Sequence, residues 1–98
     1  MQHNGDLQPA EELFKALASA QRIAILRELG RGPRCVHELA EALEVPQPRV
    51  SQHLRILRGA RLVAATRRAQ EVVYSLQDTH VAHIIEDAVH HSIERKEQ

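Results

Sequence analysis

Aromatic side chains are nearly absent from this chain of 98 residues: Phe14 and Tyr74 stand alone, and there is no tryptophan. The core must therefore be aliphatic, and the sequence has no stacking platform of the kind that holds single-stranded nucleic acid. Any nucleic-acid partner is expected to be duplex. Cysteine is equally scarce. Cys35 is alone, which excludes an internal disulfide or a dithiol redox switch within one chain. No apolar run approaches the ~20 residues needed to cross a bilayer, and the residues after Met1 lack the charged-then-apolar order of a signal peptide. The expectation is a cytoplasmic protein with no membrane partner. At this length there is material for one domain, small enough that a second copy would add substantially to its stability.

One further absence is local. Between Val45 and Gln70 there is no Asp or Glu, whereas Arg49, Arg55, Arg58, Arg61, Arg67 and Arg68 all fall there. The chain as a whole has 13 basic and 13 acidic residues, so those six arginines are balanced by acids elsewhere. A surface that meets phosphates has this polarity, although a solvated arginine-rich face would share it.

Residues 1–7 are polar and read as a mobile amino-terminal arm, with residues 8–98 forming the folded domain. Pro9 suits the first turn of a helix, after which Ala10, Leu13, Phe14 and Leu17 repeat at helical spacing. Ser19 can cap a second helix with Ile23, Leu26 and Leu29 inward, stopped by Gly30 and Gly32-Pro33. Arg34-Cys35-Val36 reads as a short extended link, and a third helix spans about His37 to Glu44. Val45-Pro46-Gln47-Pro48 is a turn.

The fourth helix, about Gln47 to Arg58, places Val50, Leu54 and Leu57 within ~40° of one another, facing a core. Its opposite stripe carries Ser51, Gln52 and Arg55, with Gln47 and Arg49 at the amino end. Two short helices across a tight turn, the second exposing amides, a hydroxyl and guanidinium groups, make a helix-turn-helix pattern. Gln and Arg can pair bidentately with adenine and guanine edges in the major groove. Position thus favours duplex DNA binding over a plain helical hairpin. The runs Leu62 to Thr66 and Glu71 to Leu76 then read as two strands, with Arg67-Arg68-Ala69-Gln70 as a basic tip suited to phosphates. Glycine is usual in such a tip, so Ala69 leaves its turn geometry open.

The last predicted helix, from about Asp78 to Arg95, carries Asp78, His80, His91 and Glu94. At ~100° and ~1.5 Å per residue His80 and His91 share a face but lie ~16 Å apart along the axis, with Glu94 ~40° to the other side of His80. One Zn²⁺ holds its nitrogen ligands at ~2.0–2.1 Å, so one helix cannot close all four donors on one ion. Two antiparallel copies can, giving two equivalent sites across a two-fold dimer. Two imidazoles and two carboxylates suit Zn²⁺, with Co²⁺ a competent substitute. A rival set on one chain, His83, Asp87 and His91, could chelate only in adjacent pairs. His53, on the flank of the fourth helix, reads as a packing or hydrogen-bonding residue.

Cys35-Val36-His37-Glu38-Leu39-Ala40, Val50-Ser51-Gln52-His53-Leu54 and the Asp-x-His-x10-His-x2-Glu set together resemble the arsenic-repressor/SmtB family of bacterial winged-helix metal sensors, over about Glu11 to Glu94. The terminal-helix set looks like that of the zinc-sensing, SmtB-type repressors of actinobacteria. The resemblance implies a mainly α fold with a small β-hairpin, a winged helix-turn-helix that pairs as a homodimer through its first and last helices. It implies Asp78 and His80 of one chain with His91 and Glu94 of the other around zinc, which acts as effector. It further implies repression through an imperfect inverted repeat of double-stranded operator DNA, relieved by the metal, at genes of metal efflux or detoxification. DNA contacts are expected from Gln47, Arg49, Ser51, Gln52, Arg55, Arg67 and Arg68. Some relatives hold a second metal with thiolates at the third helix and ligands from the arm, for which this chain offers His3, Cys35 and His37. With one thiol, arsenic sensing by three cysteines in a subunit is excluded. The competing readings are a winged-helix repressor with another inducer and only structural zinc, and a zinc-bridged interaction module that does not touch DNA. An enzyme is not expected, because four protein donors leave no open coordination position.

Overall fold

The computed structural model describes residues 4–96. Five helices and three strands follow in the order α1 (Asn4–Leu17), α2 (Ala20–Leu29), β1 (Arg34–Cys35), α3 (Val36–Leu43), α4 (Gln47–Gly59), β2 (Val63–Arg68), β3 (Glu71–Leu76) and α5 (Thr79–Lys96). The mainly α architecture with a basic hairpin after two short helices is that of a winged helix-turn-helix.

Each helix boundary has a chemical cause. Ser19 caps α2 by accepting the Arg22 N–H at 3.2 Å, as its position before the apolar stripe suggests. The chain turns out of α2 through Gly32 at φ 148°, a conformation L side chains rarely adopt. Between α3 and α4 the break is made by Glu44, left-handed at φ 56° and ψ 45°, rather than by the prolines alone. Pro46 then precedes α4, its carbonyl accepting the Arg49 and Val50 N–H groups. At the far end of α4, Arg61 sits at φ 62° while Arg61 N–H bonds to Arg58 and Leu62 N–H to Leu57. That is a Schellman ending with arginine where glycine is usual, and Leu57 and Leu62 meet in the core beneath it.

α1 departs from expectation. It begins at Asn4, so residues 4–7, read as part of a mobile arm, are helical, and Pro9 lies inside the helix instead of opening it. The missing proline N–H removes one bond, to the Gly5 carbonyl, from the first turns.

Strand order in the sheet is β1-β3-β2, all antiparallel. β2 and β3 pair from Val63↔Leu76 to Arg68↔Glu71, so Arg67 and Arg68 belong to the strand and the tip shrinks to Ala69-Gln70. Ala69 takes φ 57°, a positive value accommodated without glycine. Arg34-Cys35, expected as a link, adds a third strand through Arg34↔Tyr74 and Cys35↔Val73. The wing is thereby stitched to the start of α3.

The core is aliphatic, as the shortage of aromatics requires. Ile25, Leu26, Leu39, Val50, Leu54, Leu57, Leu62 and Val63 are essentially sealed, joined by Val81 and Ile85 of α5. Truncating such a residue to alanine costs about 2–5 kcal/mol. α5 is also tied to α2 by the Arg27–Glu86 ion pair. Phe14 and Ile93 remain exposed at 64% and 48%, with Ile84 at 37%. Phe14, Leu17, Ile23, Ile84, Ala88 and Val89 line an apolar depression between α1, α2 and α5. No helix of the described residues is long and apolar enough to cross a membrane.

Candidate nucleic-acid interface and metal-ligand sets

α4 separates its two faces cleanly. Val50, Leu54 and Leu57 are 0–1% exposed, and this anchoring turns Gln47, Arg49, Ser51, Gln52 and Arg55 to solvent. Arg67 and Arg68 of the wing are exposed as well. Because α4 runs directly into β2 through the Arg61 turn, helix and wing have a fixed mutual orientation within the fold.

His53 lies at the edge of this surface, half-buried. Its Nε2 is 2.8 Å from Gln21 Oε1 and its Nδ1 3.4 Å from the Arg22 guanidinium, so the neutral ring donates to Gln21 and accepts from Arg22. Arg22 in turn donates from Nε to the Ala16 carbonyl at 2.6 Å. The end of α1, the start of α2 and α4 are joined by these bonds, which makes His53 the hydrogen-bonding residue its place in the sequence suggests. Burial, then the positive charges of Arg22 and Arg49, hold its pKa below the ordinary imidazole value.

At the head of α5, Asp78 is the amino-terminal cap: Oδ1 accepts the His80 N–H at 2.9 Å and the Val81 N–H at 3.3 Å. His80 Nδ1 also stands 3.5 Å from that oxygen. Asp78 and His80 are thus already adjacent, at the separation of two ligands on one small ion. Oδ2 carries none of these bonds. His91 and Glu94 are exposed further along the same helix. The four donors form two pairs and do not converge within one chain.

A different trio does converge. Cys35 Sγ, a nitrogen of His37 and an oxygen of Glu71 all lie within 4.8 Å of one another. The thiol donates to Glu71 Oε1 at 2.9 Å, while the Cys35 N–H donates to Glu38 Oε1 at 2.8 Å. The Glu71 bond, burial and the two carboxylate charges push the Cys35 pKa up to about 11. Glu38, held by the backbone bond from Cys35, lies below the usual carboxylate range. Of the arm-completed set His3, Cys35 and His37, the structure brings Cys35 and His37 together, and His3 lies outside the described residues. Sequence reading missed Glu71. Its signal is the sheet register, since Cys35 pairs with Val73 and residue 71 lies on the same face two positions away.

A helix-turn-helix with an exposed polar stripe, flanked by a basic wing, defines a DNA-binding regulator. Residues 19–65 match the family model described as bacterial regulatory protein, arsR family. The chain is 55% identical over 86 residues to the HTH-type transcriptional repressor SmtB of Mycobacterium tuberculosis, covering 88% of this chain and 64% of that protein. It is 46% identical over 79 residues to the HTH-type transcriptional regulator NmtR of the same species, covering 81% and 66%. Among solved structures, the homodimeric winged helix-turn-helix DNA-binding domain Mb0332 of Mycobacterium bovis superposes with a TM-score of 0.88 at 27% identity, over 96% of this chain and 90% of that one. This chain belongs to the ArsR/SmtB family, whose members are transcriptional regulators and not enzymes. It spans about 64% of the length of the SmtB relative.

Proposed function

We propose that this protein is a metal-responsive transcriptional repressor: a homodimer that binds operator DNA when metal-free and releases it when zinc is bound. The observation that carries the reading is the split donor set of α5. Asp78 and His80 stand together at its head, 3.5 Å apart, while His91 and Glu94 occupy the same helix ~16 Å beyond. Neither pair fills a tetrahedral shell, and an antiparallel second copy of α5 supplies what each lacks. The exposed Phe14, Ile84 and Ile93 along α1 and α5 support pairing through those helices.

In this reading the free dimer holds its two α4 helices one DNA turn apart, ~34 Å, on an imperfect inverted repeat. Gln47, Ser51, Gln52 and Arg55 meet base edges; Arg49, Arg67 and Arg68 meet phosphates. Bound zinc supplies a fixed four-donor link between the two α5 helices. Those helices then settle in a spacing, or a narrower range of spacings, that does not match successive grooves. Emptying a mostly occupied operator takes ~5.5 kcal/mol of differential affinity, within the reach of two ions per dimer. Operator DNA must weaken zinc binding by the same factor. The site of action is the cytoplasm, and relief of repression would serve metal efflux or detoxification, with Co²⁺ able to substitute.

The test is operator binding in chelator and in excess Zn²⁺, for the native protein and for His80→Ala and His91→Ala. Both variants should bind DNA as the native protein does in chelator and keep binding when zinc is added. Equal operator affinity of the native protein in chelator and zinc would defeat the sensing role and leave DNA binding intact.

A further inference from the structure

We infer that Cys35, His37 and Glu71 form a second divalent-metal site, contained within one subunit, that fastens the wing to the first helix of the helix-turn-helix. This goes beyond the α5 reading and does not depend on it. The three donors come from β1, α3 and β3, and their ligand atoms already lie within 4.8 Å of one another. Zinc–sulfur and zinc–nitrogen bonds of ~2.3 and ~2.0 Å at tetrahedral angles put ligand atoms about 3.5 Å apart, so closure requires movements of about an ångström. His37 and Glu71 are exposed and free to make that adjustment, whereas Cys35 is held by strand pairing on one side and the Glu38 bond on the other.

The donor chemistry selects the ion. A thiolate, an imidazole and a carboxylate suit Zn²⁺ or Cd²⁺ better than the hard cations Mg²⁺ and Ca²⁺. The proton that now bridges Cys35 Sγ to Glu71 leaves to solvent as the ion takes its place, one proton from the thiol per ion bound. Three protein donors leave a fourth position for water. Because the wing carboxylate is the third donor, neither the residues before position 4 nor a second subunit is required. Glu71 pairs across the hairpin with Arg68, so the ion would sit at the phosphate-contacting end of the wing.

The experiment is a Co²⁺ titration of reduced protein carrying His80→Ala and His91→Ala, which removes the α5 imidazoles. Near-ultraviolet sulfur-to-cobalt charge-transfer absorption can arise only from Cys35, the single thiol. The expected result is a band saturating at one ion per chain, abolished by Cys35→Ser. Glu71→Gln and His37→Ala should each weaken it at least about ten-fold, since loss even of an outer partner to a ligand costs 10–100-fold. Removing Glu71 also removes the acceptor that favours the protonated thiol, so a carboxylate that is merely a neighbour would leave binding equal or tighter. Circular dichroism identical to the parent confirms that the variants are folded. No band, an unchanged affinity in Glu71→Gln, or saturation at one ion per two chains would overturn the inference.

Discussion

Arg27 and Glu86 meet in a two-pronged ion pair, Nε to Oε2 at 2.9 Å and Nη2 to Oε1 at 3.1 Å, which joins α2 to α5. The side chains are 48% and 43% exposed, so solvent screens the pair and its contribution to stability is at most about 1 kcal/mol. Arg27→Met should lower the unfolding free energy by about that amount or less, with the difference shrinking in high salt. A double-mutant cycle with Glu86→Gln, read by chemical denaturation, measures it. Because buried Val81 and Ile85, and not this screened pair alone, seat α5 on the rest of the fold, the proposed zinc response of the operator complex should survive in the same variant.

Asp78 caps α5, and substitution can separate that duty from its proposed role as a metal ligand. Asn caps a helix as well as Asp does but ligates metal poorly, whereas Ala does neither. Asp78→Asn should therefore keep near-native stability and lose at least about ten-fold in zinc affinity. Asp78→Ala should lose zinc affinity and also about 1 kcal/mol of stability. Thermal denaturation of the apo proteins beside a zinc titration distinguishes the two, and equal stability of both variants would remove the cap.

The DNA contacts should divide into two kinds. Arg67→Ala, on the wing, should weaken binding to all sequences alike and reduce the salt slope of log affinity by about 1. Gln52→Ala, on α4, should cost ~1–3 kcal/mol on the operator with little effect on random duplex. Fluorescence anisotropy across a salt series gives both quantities. A Gln52→Ala loss equal on operator and random DNA would move that residue from reading bases to gripping the backbone.

His53 gives an acid-side dependence. Its folded pKa lies below the ordinary 6.5, so between the two values the unfolded chain binds more protons than the folded one. Stability should be complete above 6.5 and decline as pH falls from there toward the folded pKa, where Arg22 would face a second cation. His53→Gln should flatten that decline. Urea denaturation from neutral to mildly acidic pH, with chelator present, isolates this effect from the histidines of α5.

Much of this arrangement is legible in residue order, and the parts that are not have physical reasons. Val50, Leu54 and Leu57 recur at helical spacing, so the buried face of α4 and hence its outward stripe follow from periodicity. The extent of α1 does not, because Pro9 satisfies a first-turn rule while the chain tolerates it five residues further in. A two-residue strand such as Arg34-Cys35 has no period to detect, and it is that strand which brings Glu71 to Cys35. The left-handed residues Glu44, Arg61 and Ala69 carry no glycine to announce them. The spacing of Asp78, His80, His91 and Glu94 on α5 is readable in the sequence, but their completion into a metal site, as proposed, would be a property of two chains.

The pairing of β1 with β3 has a mechanical consequence. With Arg34-Cys35 hydrogen-bonded to the wing and continuing directly into α3, the hairpin cannot swing independently of the helices that flank it. In the proposed dimer each copy would present DNA with a single stiff reading head, so an inducer would gain little by bending it. Its leverage would be the distance between two such heads, set at the α5 helices through which the copies are proposed to pair.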